Sequence, residues 1–373
     1  MPEYLQIIYH PVFRTVSAFL VAFLVGYYSI PVIINVARSK NLVDEPNHRT
    51  SHKGKVPTLG GIAIFMGFSI AILTFNTGLD SVLSAYLIAG AVIIFFLGLK
   101  DDLLELSPLA KIYGQIIAAL IVIVPGGIRL TDLHGFLGFN QIPYLWSIAI
   151  TVFVFVVIVN SFNLVDGIDG LAGGLAVVAS VFLGEWFFKA GQTGLVIIAI
   201  SLIGVLFAFL RYNLLDSKYK IFMGDTGSLL LGFILSVMVI KFNEFNVEGH
   251  PLRSLESAPS LSFAILMIPL FDTLRLFVVR LYRKCTPFAP DRAHMHHILL
   301  KLGFSHLNAT YTLLIANIAF VMVAWQFQYL GTTRLFGMLL LLGTIFTIIP
   351  FTINAIKKKQ RHDLGKTMLH HGK

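Results

Sequence analysis

Long apolar runs recur along the whole chain, and they restrict it to one class of fold. Eleven runs each approach the roughly twenty residues that a helix needs to cross a bilayer. They are centred on residues 14–37, 59–76, 81–99, 109–125, 144–160, 172–188, 194–211, 228–241, 261–280, 309–329 and 334–356. A composition of 56% hydrophobic and 13% charged residues excludes a water-soluble domain of this length. The sequence therefore predicts an all-α, polytopic integral membrane protein with about eleven transmembrane helices.

The basic residues predict how these helices are oriented. If the loops alternate between the two sides from an external N-terminus, 22 of the 28 Lys and Arg residues fall on one side. The positive-inside rule makes that side cytoplasmic, which places the N-terminus outside and the C-terminus in the cytoplasm. The rule also accounts for much of the +9 net charge, so no nucleic-acid partner is needed to explain it. We expect one integral domain, 1–373, with cytoplasmic loops at 38–58, 100–111, 160–171, 211–227 and 281–308 and a basic tail at 357–373.

Polar residues interrupt the apolar sequence between two predicted spans. Asn160, Asn163, Asp166 and Asp169 recur at every third position there. Acids beside membrane-length runs are costly unless they perform a task. Because several glycines follow, we expect the helix to break after Asn163 and both Asp residues to fold back as a loop. Carboxylate and carboxamide oxygens suit a hard divalent cation such as Mg²⁺. Helix capping with small-residue packing is the alternative interpretation.

Two further acidic segments fall on the same predicted side of the membrane. Asp101 and Asp102 follow an apolar run, and adjacent carboxylates on a helix cannot both point one way. In the segment 222–228, Asp225 is a candidate metal ligand and Phe222 a candidate aromatic face for a base. A glycine-rich helix start is also a candidate phosphate site. The alternatives are a solvated helix end for the first pair and simple helix capping for the second segment. Their shared side predicts one polar site.

A histidine-rich segment lies in the longest polar loop of the predicted cytoplasmic side. Its candidate residues are Arg292, His294, His296 and His297. Zinc is a weaker interpretation, because the chain has one Cys and the spacing fits no structural zinc pattern. We expect these side chains to donate to phosphate oxygens instead. Lys53 in the first cytoplasmic loop offers the same kind of cationic contact.

In this order, the motifs resemble the polyprenyl-phosphate N-acetylhexosamine-1-phosphate transferase superfamily of integral membrane enzymes. The resemblance extends from about Lys53 to Phe304 and includes the segment Pro57-Thr-Leu-Gly-Gly61. The segment His294-Met-His-His297 resembles the bacterial branch, of glycosyltransferase family 4 type, that moves GlcNAc-1-phosphate onto undecaprenyl phosphate. The branch that acts on UDP-MurNAc-pentapeptide usually has three consecutive histidines, which Met295 interrupts here.

The resemblance implies a role for each motif position. Asn163 and Asp225 match residues that hold Mg²⁺ against the donor pyrophosphate, and we consider Mn²⁺ a substitute. Asp101 matches the proposed base for the lipid phosphate, with Asp102 its neighbour near the metal. Our candidate catalytic residues are Asp101, Asp102, Asp166, Asp169, His294, His296 and His297. Our candidate substrate-binding residues are Asn160, Asn213, Phe222, Arg292, Lys111 and Lys53, among which Phe222 and Asn213 match a uracil site and Lys111 a lysine near the lipid phosphate.

The implied function is a Mg²⁺-dependent transfer of sugar-1-phosphate, preferably GlcNAc-1-phosphate from UDP-GlcNAc, to undecaprenyl phosphate with release of UMP. This reaction starts cell-envelope polysaccharide synthesis at the cytoplasmic face of the bacterial inner membrane. The implied partners are the UDP-sugar, the polyprenyl phosphate and membrane lipids, and we also consider a homodimer.

Three alternatives stay open from the sequence. The first is a phospho-MurNAc-pentapeptide transferase of peptidoglycan synthesis. The second is an ion-coupled transporter, although transporter sites lie near the midplane, often in inverted repeats that we do not find here. The third is a polyprenyl-lipid scaffold protein.

Overall fold

The computed structural model describes residues 10–43, 56–77, 80–215, 218–247, 249–284 and 294–371. This part of the chain forms thirteen α-helices and one short β-hairpin. The helices are α1 (Pro11–Ser39), α2 (Gly60–Phe75), α3 (Asp80–Leu104), α4 (Pro108–Ile123), α5 (Tyr144–Val165), α6 (Leu171–Lys189), α7 (Thr193–Asn213), α8 (Gly224–Glu244), α9 (Ala258–Ile265), α10 (Met267–Tyr282), α11 (Met295–Lys301), α12 (His306–Gln326) and α13 (Thr332–His371). The predicted all-α, multi-pass membrane fold is confirmed.

Every predicted apolar run coincides with a helix, but the runs are not equal in length. Among the described residues, eight helices are long and apolar enough to span a membrane: α1, α3, α5, α6, α7, α8, α12 and the first part of α13. The pair α9 and α10 is bent by 87° at its break, and it is a ninth candidate if the two helices are counted as one span. Helices α2 and α4 have 16 residues each, about 24 Å at the α-helical rise, against a hydrocarbon core of roughly 30 Å. The predicted count of eleven therefore includes two helices shorter than the core. The predicted orientation stays a prediction.

A buried asparagine satisfies the backbone where α9 breaks from α10. The bend leaves the Ile265 carbonyl and the Ile268 N–H without helical partners. Asn317 of α12 is fully buried and replaces both: its Nδ2 donates to Ile265 at 2.9 Å, and its Oδ1 accepts from Ile268 at 3.1 Å. A buried irregular backbone is tolerated when protein groups satisfy it in this way. The break is therefore a built feature of the fold.

Helix α8 forms the centre of the bundle and packs against α2, α3, α5 and α6. Its span is 89% buried, more than any other. Two glycines on neighbouring helices let its first turn approach closely. A Cβ on Gly61 of α2 would collide with the backbone of Gly227, and one on Gly98 of α3 would collide with the backbone of Thr226. Small residues of this kind allow helix backbones to meet in a bilayer. They place the start of α8 against the start of α2 and the last two turns of α3.

Helix α5 continues two residues beyond the predicted break. It ends at Val165, so the expected break after Asn163, with both Asp residues in the loop that follows, is confirmed to within two residues. The Asn side chains are compatible with the helix because each finds a partner there. Asn160 Nδ2 donates to the Val156 carbonyl one turn earlier at 2.7 Å. The loop consists of residues 166–170, and Gly170 ends it with φ +76° before α6 begins.

The β-hairpin lies at the other end of α5 and α8. Strands β1 (Asp132–Phe136) and β2 (Phe139–Gln141) pair antiparallel between α4 and α5. Glu244, the last residue of α8, accepts from the backbone N–H and the hydroxyl of Thr131, both at 2.8 Å. Since α8 begins beside the predicted site, the hairpin and the site lie at opposite ends of this helix.

Candidate active site

Ends of four helices meet at one end of the bundle and bring the predicted acids together. The contributing residues are Asp101 and Asp102 from the end of α3, Lys111 from the start of α4, Asn163 from the end of α5 and Asp225 from the start of α8. These residues lie far apart in sequence, and the helix packing makes them neighbours. Their contacts divide them into residues that support the site and residues that face its centre.

Lys111 is the cation at the centre of this cluster. Its Nζ donates to Asp225 Oδ2 at 2.8 Å and forms an ion pair with Asp101 Oδ2. Asp101 is buried, and its other oxygen accepts from the Leu106 N–H at 2.6 Å. The predicted base, the predicted metal ligand and the predicted lipid-phosphate lysine therefore share one interaction network.

Asp102 caps helix α8 from a different helix. No side chain of α8 caps its own start, where Gly224 has a φ of +71°. Asp102 Oδ1 accepts from the Asp225 N–H at 2.7 Å. Its Oδ2 accepts from the Thr226 N–H at 3.0 Å and from the Thr226 hydroxyl at 2.5 Å. A carboxylate at this position satisfies donors that a helix start leaves open and complements the helix dipole. The alternative of capping by a side chain of the segment 222–228 is thus replaced by capping from α3.

The two predicted metal ligands are in direct contact. Asn163 Nδ2 donates to Asp225 Oδ1 at 2.9 Å and to the Ser228 hydroxyl at 3.0 Å. Asn160, one turn earlier, faces α4 instead: its Nδ2 donates to Gln115 Oε1 at 2.6 Å. Asn160 therefore links α5 to α4, and its predicted substrate contact stays a prediction.

The donor set fits a hard divalent cation that takes few ligands from the protein. Asp101 and Asp225 share the ammonium of Lys111, and Asp102 lies beside Asp225, so the carboxyl groups outnumber the cation that they surround. Within the described ranges, no three His, Cys, Asp or Glu side chains converge closely enough to hold a metal by themselves. Mg²⁺ commonly keeps water ligands and takes others from phosphates. Asp225 and Asn163 are the residues that would hold it here.

Asp166 lies in the loop after α5, where burial raises the pKa of its carboxyl to about 8. Repulsion from Asp225, Asp102 and Asp169 adds to the effect. Such a carboxyl ionises more readily when a cation approaches it. The loop therefore adds to the surplus of acidic groups at this end of the bundle.

The predicted nucleotide residues surround the same loop. Asp169 Oδ2 pairs with Lys220 Nζ at 2.7 Å, and Lys220 in turn lies 5.9 Å from the Phe222 ring centroid. Asn213 is buried, with its Oδ1 accepting from Gly170 N–H at 2.7 Å and its Nδ2 donating to the Ile221 carbonyl at 2.9 Å. Asn213 thus ties the loop to the segment before α8. Its predicted bond to uracil stays a prediction.

The segment Pro57–Gly61, part of the sequence resemblance, supports Phe222 through the backbone. The Phe222 N–H donates to the Pro57 carbonyl at 2.8 Å, and its carbonyl accepts from Gly60 at 2.9 Å. These two bonds fix the backbone that carries the predicted aromatic face. The motif therefore has a structural role beside the site.

The histidine segment packs on the loop after α5. His296 is 1% exposed, and a Cβ on Gly167 would collide with its ring. Burial lowers the pKa of His296 to about 3, so the ring is neutral at physiological pH. In the described part of the chain, neither of its ring nitrogens has a hydrogen-bond partner. The His297 ring centroid lies 4.2 Å from that of His296. Two of the predicted motifs are therefore in contact.

Asp272 of α10 is a site-proximal acid that the sequence-based prediction missed. It lies 2.9 Å from His294 Nδ1 and 2.7 Å from Arg275 Nη2, and it is buried. The available signal was a lone acid inside an apolar run. Lys53 and Arg292, both predicted to bind substrate, lie outside the described residues.

A family model and several known proteins match the part of the chain that contains these residues. The model of the family described as Glycosyl transferase family 4 matches residues 84–243, which include all residues of the Lys111 network. Undecaprenyl-phosphate alpha-N-acetylglucosaminyl 1-phosphate transferase of Yersinia pestis is 32% identical over 291 residues, 77% of each chain. The protein of that name from Escherichia coli (strain K12) is 30% identical over 331 residues, 87% of each chain. A probable undecaprenyl-phosphate N-acetylglucosaminyl 1-phosphate transferase of Bacillus subtilis is 32% identical over 301 residues, 79% of each chain.

Proposed function

The chain belongs to glycosyl transferase family 4, and we propose that it transfers N-acetylglucosamine-1-phosphate to undecaprenyl phosphate. The observation that carries the proposal is the contact of Lys111 with both Asp101 and Asp225, beside Asn163. It brings one cation together with several carboxylate and carboxamide oxygens at one end of the helix bundle.

The proposed donor is UDP-GlcNAc, and the proposed cofactor is Mg²⁺ held by Asp225 and Asn163. When bound, the metal would offset the negative charge of the donor pyrophosphate. The reaction forms a bond between a lipid phosphate oxygen and the sugar-linked phosphorus, and it breaks the bond from that phosphorus to UMP. UMP leaves with the electron pair of the broken bond.

The residues of the site act mainly through charge and position. Two anions must meet, and unit charges 4 Å apart interact by roughly 4 kcal/mol at the effective dielectric of a protein surface. Lys111 supplies a positive charge where the two substrates would meet, and its contacts with Asp101 and Asp225 hold it there. A phosphate monoester has a second pKa near about 6, so the acceptor is already largely ionised at neutral pH. We therefore assign Asp101 chiefly the orientation of Lys111 rather than proton removal.

We further propose that the site faces the cytoplasm of a bacterial inner membrane. Support comes from the sequence, because 22 of 28 Lys and Arg residues fall on the side that carries these acids when the loops are assigned alternately. Cysteine substitutions at exposed positions of the same end, probed with a membrane-impermeant reagent in intact cells, test this orientation. Labelling from outside the cell would refute it.

Turnover by the purified protein tests the proposed function directly. The protein is incubated with undecaprenyl phosphate, Mg²⁺ and a panel of UDP-sugars, and both UMP and the lipid product are measured. We expect turnover with UDP-GlcNAc. Turnover with UDP-MurNAc-pentapeptide alone would favour the peptidoglycan alternative, and no turnover with any donor would overturn the proposal.

A further inference from the structure

We propose that Asp272 is a positioning residue of the transfer reaction, acting through His294. This inference rests on the proposed function, since it gives the histidine segment a part in that reaction. Asp272 touches no residue of the Lys111 network among the contacts described above. Its influence on the site must therefore pass through the segment that it holds.

The burial of the Asp272 carboxylate among apolar side chains requires a physical explanation. The side chain is 5% exposed and borders a small cavity whose other walls include Phe271, Phe320 and Phe346. A carboxylate in such apolar surroundings is costly unless charged or hydrogen-bonding groups compensate it. Arg275, one turn later on the same helix, supplies one compensating group at 2.7 Å. The other donors come from the histidine segment.

Asp272 holds the start of that segment at two points. Its Oδ2 lies 2.9 Å from His294 Nδ1, and its Oδ1 accepts from the Met295 N–H at 3.2 Å. An ionised carboxylate only accepts hydrogen bonds, so Nδ1 must carry the hydrogen in this contact. In the neutral ring, Nε2 is then an acceptor. Asp272 thereby selects both the ring orientation and the tautomer of His294.

The orientation of His294 is passed to the loop after α5. The ring of His294 stacks on His296 with centroids 5.6 Å apart and planes 13° from parallel. His296 in turn lies against Gly167, which stands between Asp166 and Asp169 in the sequence of the loop. Because these groups are packed side by side, a rotation of His294 would disturb the loop that carries both acids. This packing connects Asp272 to the transfer site.

Substitution by asparagine separates this role from general stability. Asp272→Asn keeps the shape of the side chain, but its amide can present N–H groups to Nδ1 and favour the other tautomer. By comparison with carboxylates that orient functional histidines elsewhere, we expect kcat to fall on the order of 10- to 100-fold. Thr273→Val is the matched control, because the Thr273 hydroxyl bonds only to the Pro269 carbonyl of its own helix among the described contacts. We expect that control to keep wild-type turnover.

A double-mutant cycle tests whether Asp272 acts through His294. If it does, Asp272→Asn combined with His294→Gln lowers kcat no further than His294→Gln alone, because residues acting as a unit are non-additive. Losses that multiply would overturn the proposal, and so would wild-type kcat in Asp272→Asn. Unfolding midpoints of all variants show whether each remains folded, since a purely structural loss would follow the midpoint.

A second measurement does not depend on turnover. Diethyl pyrocarbonate modifies accessible neutral imidazoles, and mass spectrometry locates the modified residue. We expect faster modification of His294 in Asp272→Asn than in the wild type or in Thr273→Val. Unchanged modification would overturn the positioning role even if no donor were turned over. A wild-type protein inactive with every UDP-sugar would instead overturn the proposed function, which keeps the two failures distinct.

Discussion

Removal of the Asp102 carboxylate tests how the start of α8 is held. In Asp102→Ala, the N–H groups of Asp225 and Thr226 lose their acceptor. Each partly buried donor left without a partner costs about 1–3 kcal/mol. Water reaches part of this site, so we take the lower half of the summed range, about 2–4 kcal/mol. Asp102→Asn retains one acceptor oxygen and should lose about half as much.

Thermal unfolding of the detergent-purified protein measures this loss. At roughly 2 °C per kcal/mol for a large chain, Asp102→Ala should lower the unfolding midpoint by about 4–8 °C. The unfolding midpoint of Asp102→Asn should lie between those of Asp102→Ala and the wild type. Asp101→Ala is the matched neighbour, because the Asp101 carboxylate accepts from the Leu106 N–H and pairs with Lys111, whereas the N–H groups of Asp225 and Thr226 donate to Asp102.

The same variants decide between a supporting and a chemical role for Asp102. If Asp102 only caps α8, Asp102→Asn and Asp102→Ala should lose UMP release in step with the fall of their unfolding midpoints. Wild-type unfolding midpoints in both variants would refute the capping argument. Complete inactivity at an unchanged midpoint would point to the chemical role that the sequence resemblance implies.

Three further predictions follow from contacts at the same end of the bundle. Asp225→Ala should abolish UMP release because it removes a proposed Mg²⁺ ligand, and normal turnover in a folded variant would refute the metal assignment. Gly61→Ala should lower both the unfolding midpoint and activity, because the added methyl meets the α8 backbone, whereas Gly337→Ala, with open space at its Cβ, should behave as wild type. His296 has its pKa lowered to about 3 by burial, so the unfolded state binds a proton that the folded state does not between about pH 6.5 and 3. The free energy of unfolding should therefore fall as pH drops through this window, by up to roughly 1.4 kcal/mol per pH unit. His296→Gln should flatten this pH dependence. Parallel curves of unfolding midpoint against pH for the wild type and the variant would contradict the prediction.

The helices and the grouping of the acids could be predicted from the sequence. Apolar runs of bilayer length become helices because the backbone must bond within its own segment in lipid. The loop at 166–170 was also predictable, since glycines follow a polar interruption of such a run. The exact end of α5 was not, because Asn163 finds a partner in Asp225, which lies 62 positions away.

Tertiary structure alone decided what each polar side chain does. Asp102 reaches the start of α8 across 123 positions, and Asp272 reaches His294 across 22. Asn213 and Asn160 resemble substrate ligands in sequence, yet each makes hydrogen bonds that tie structural elements together. The physical reason is that a buried polar group must find a partner wherever the packing provides one. Sequence alone therefore determined which residues gather at this end of the membrane bundle, and the packing of α3, α5 and α8 decided which of them hold the site and which face it.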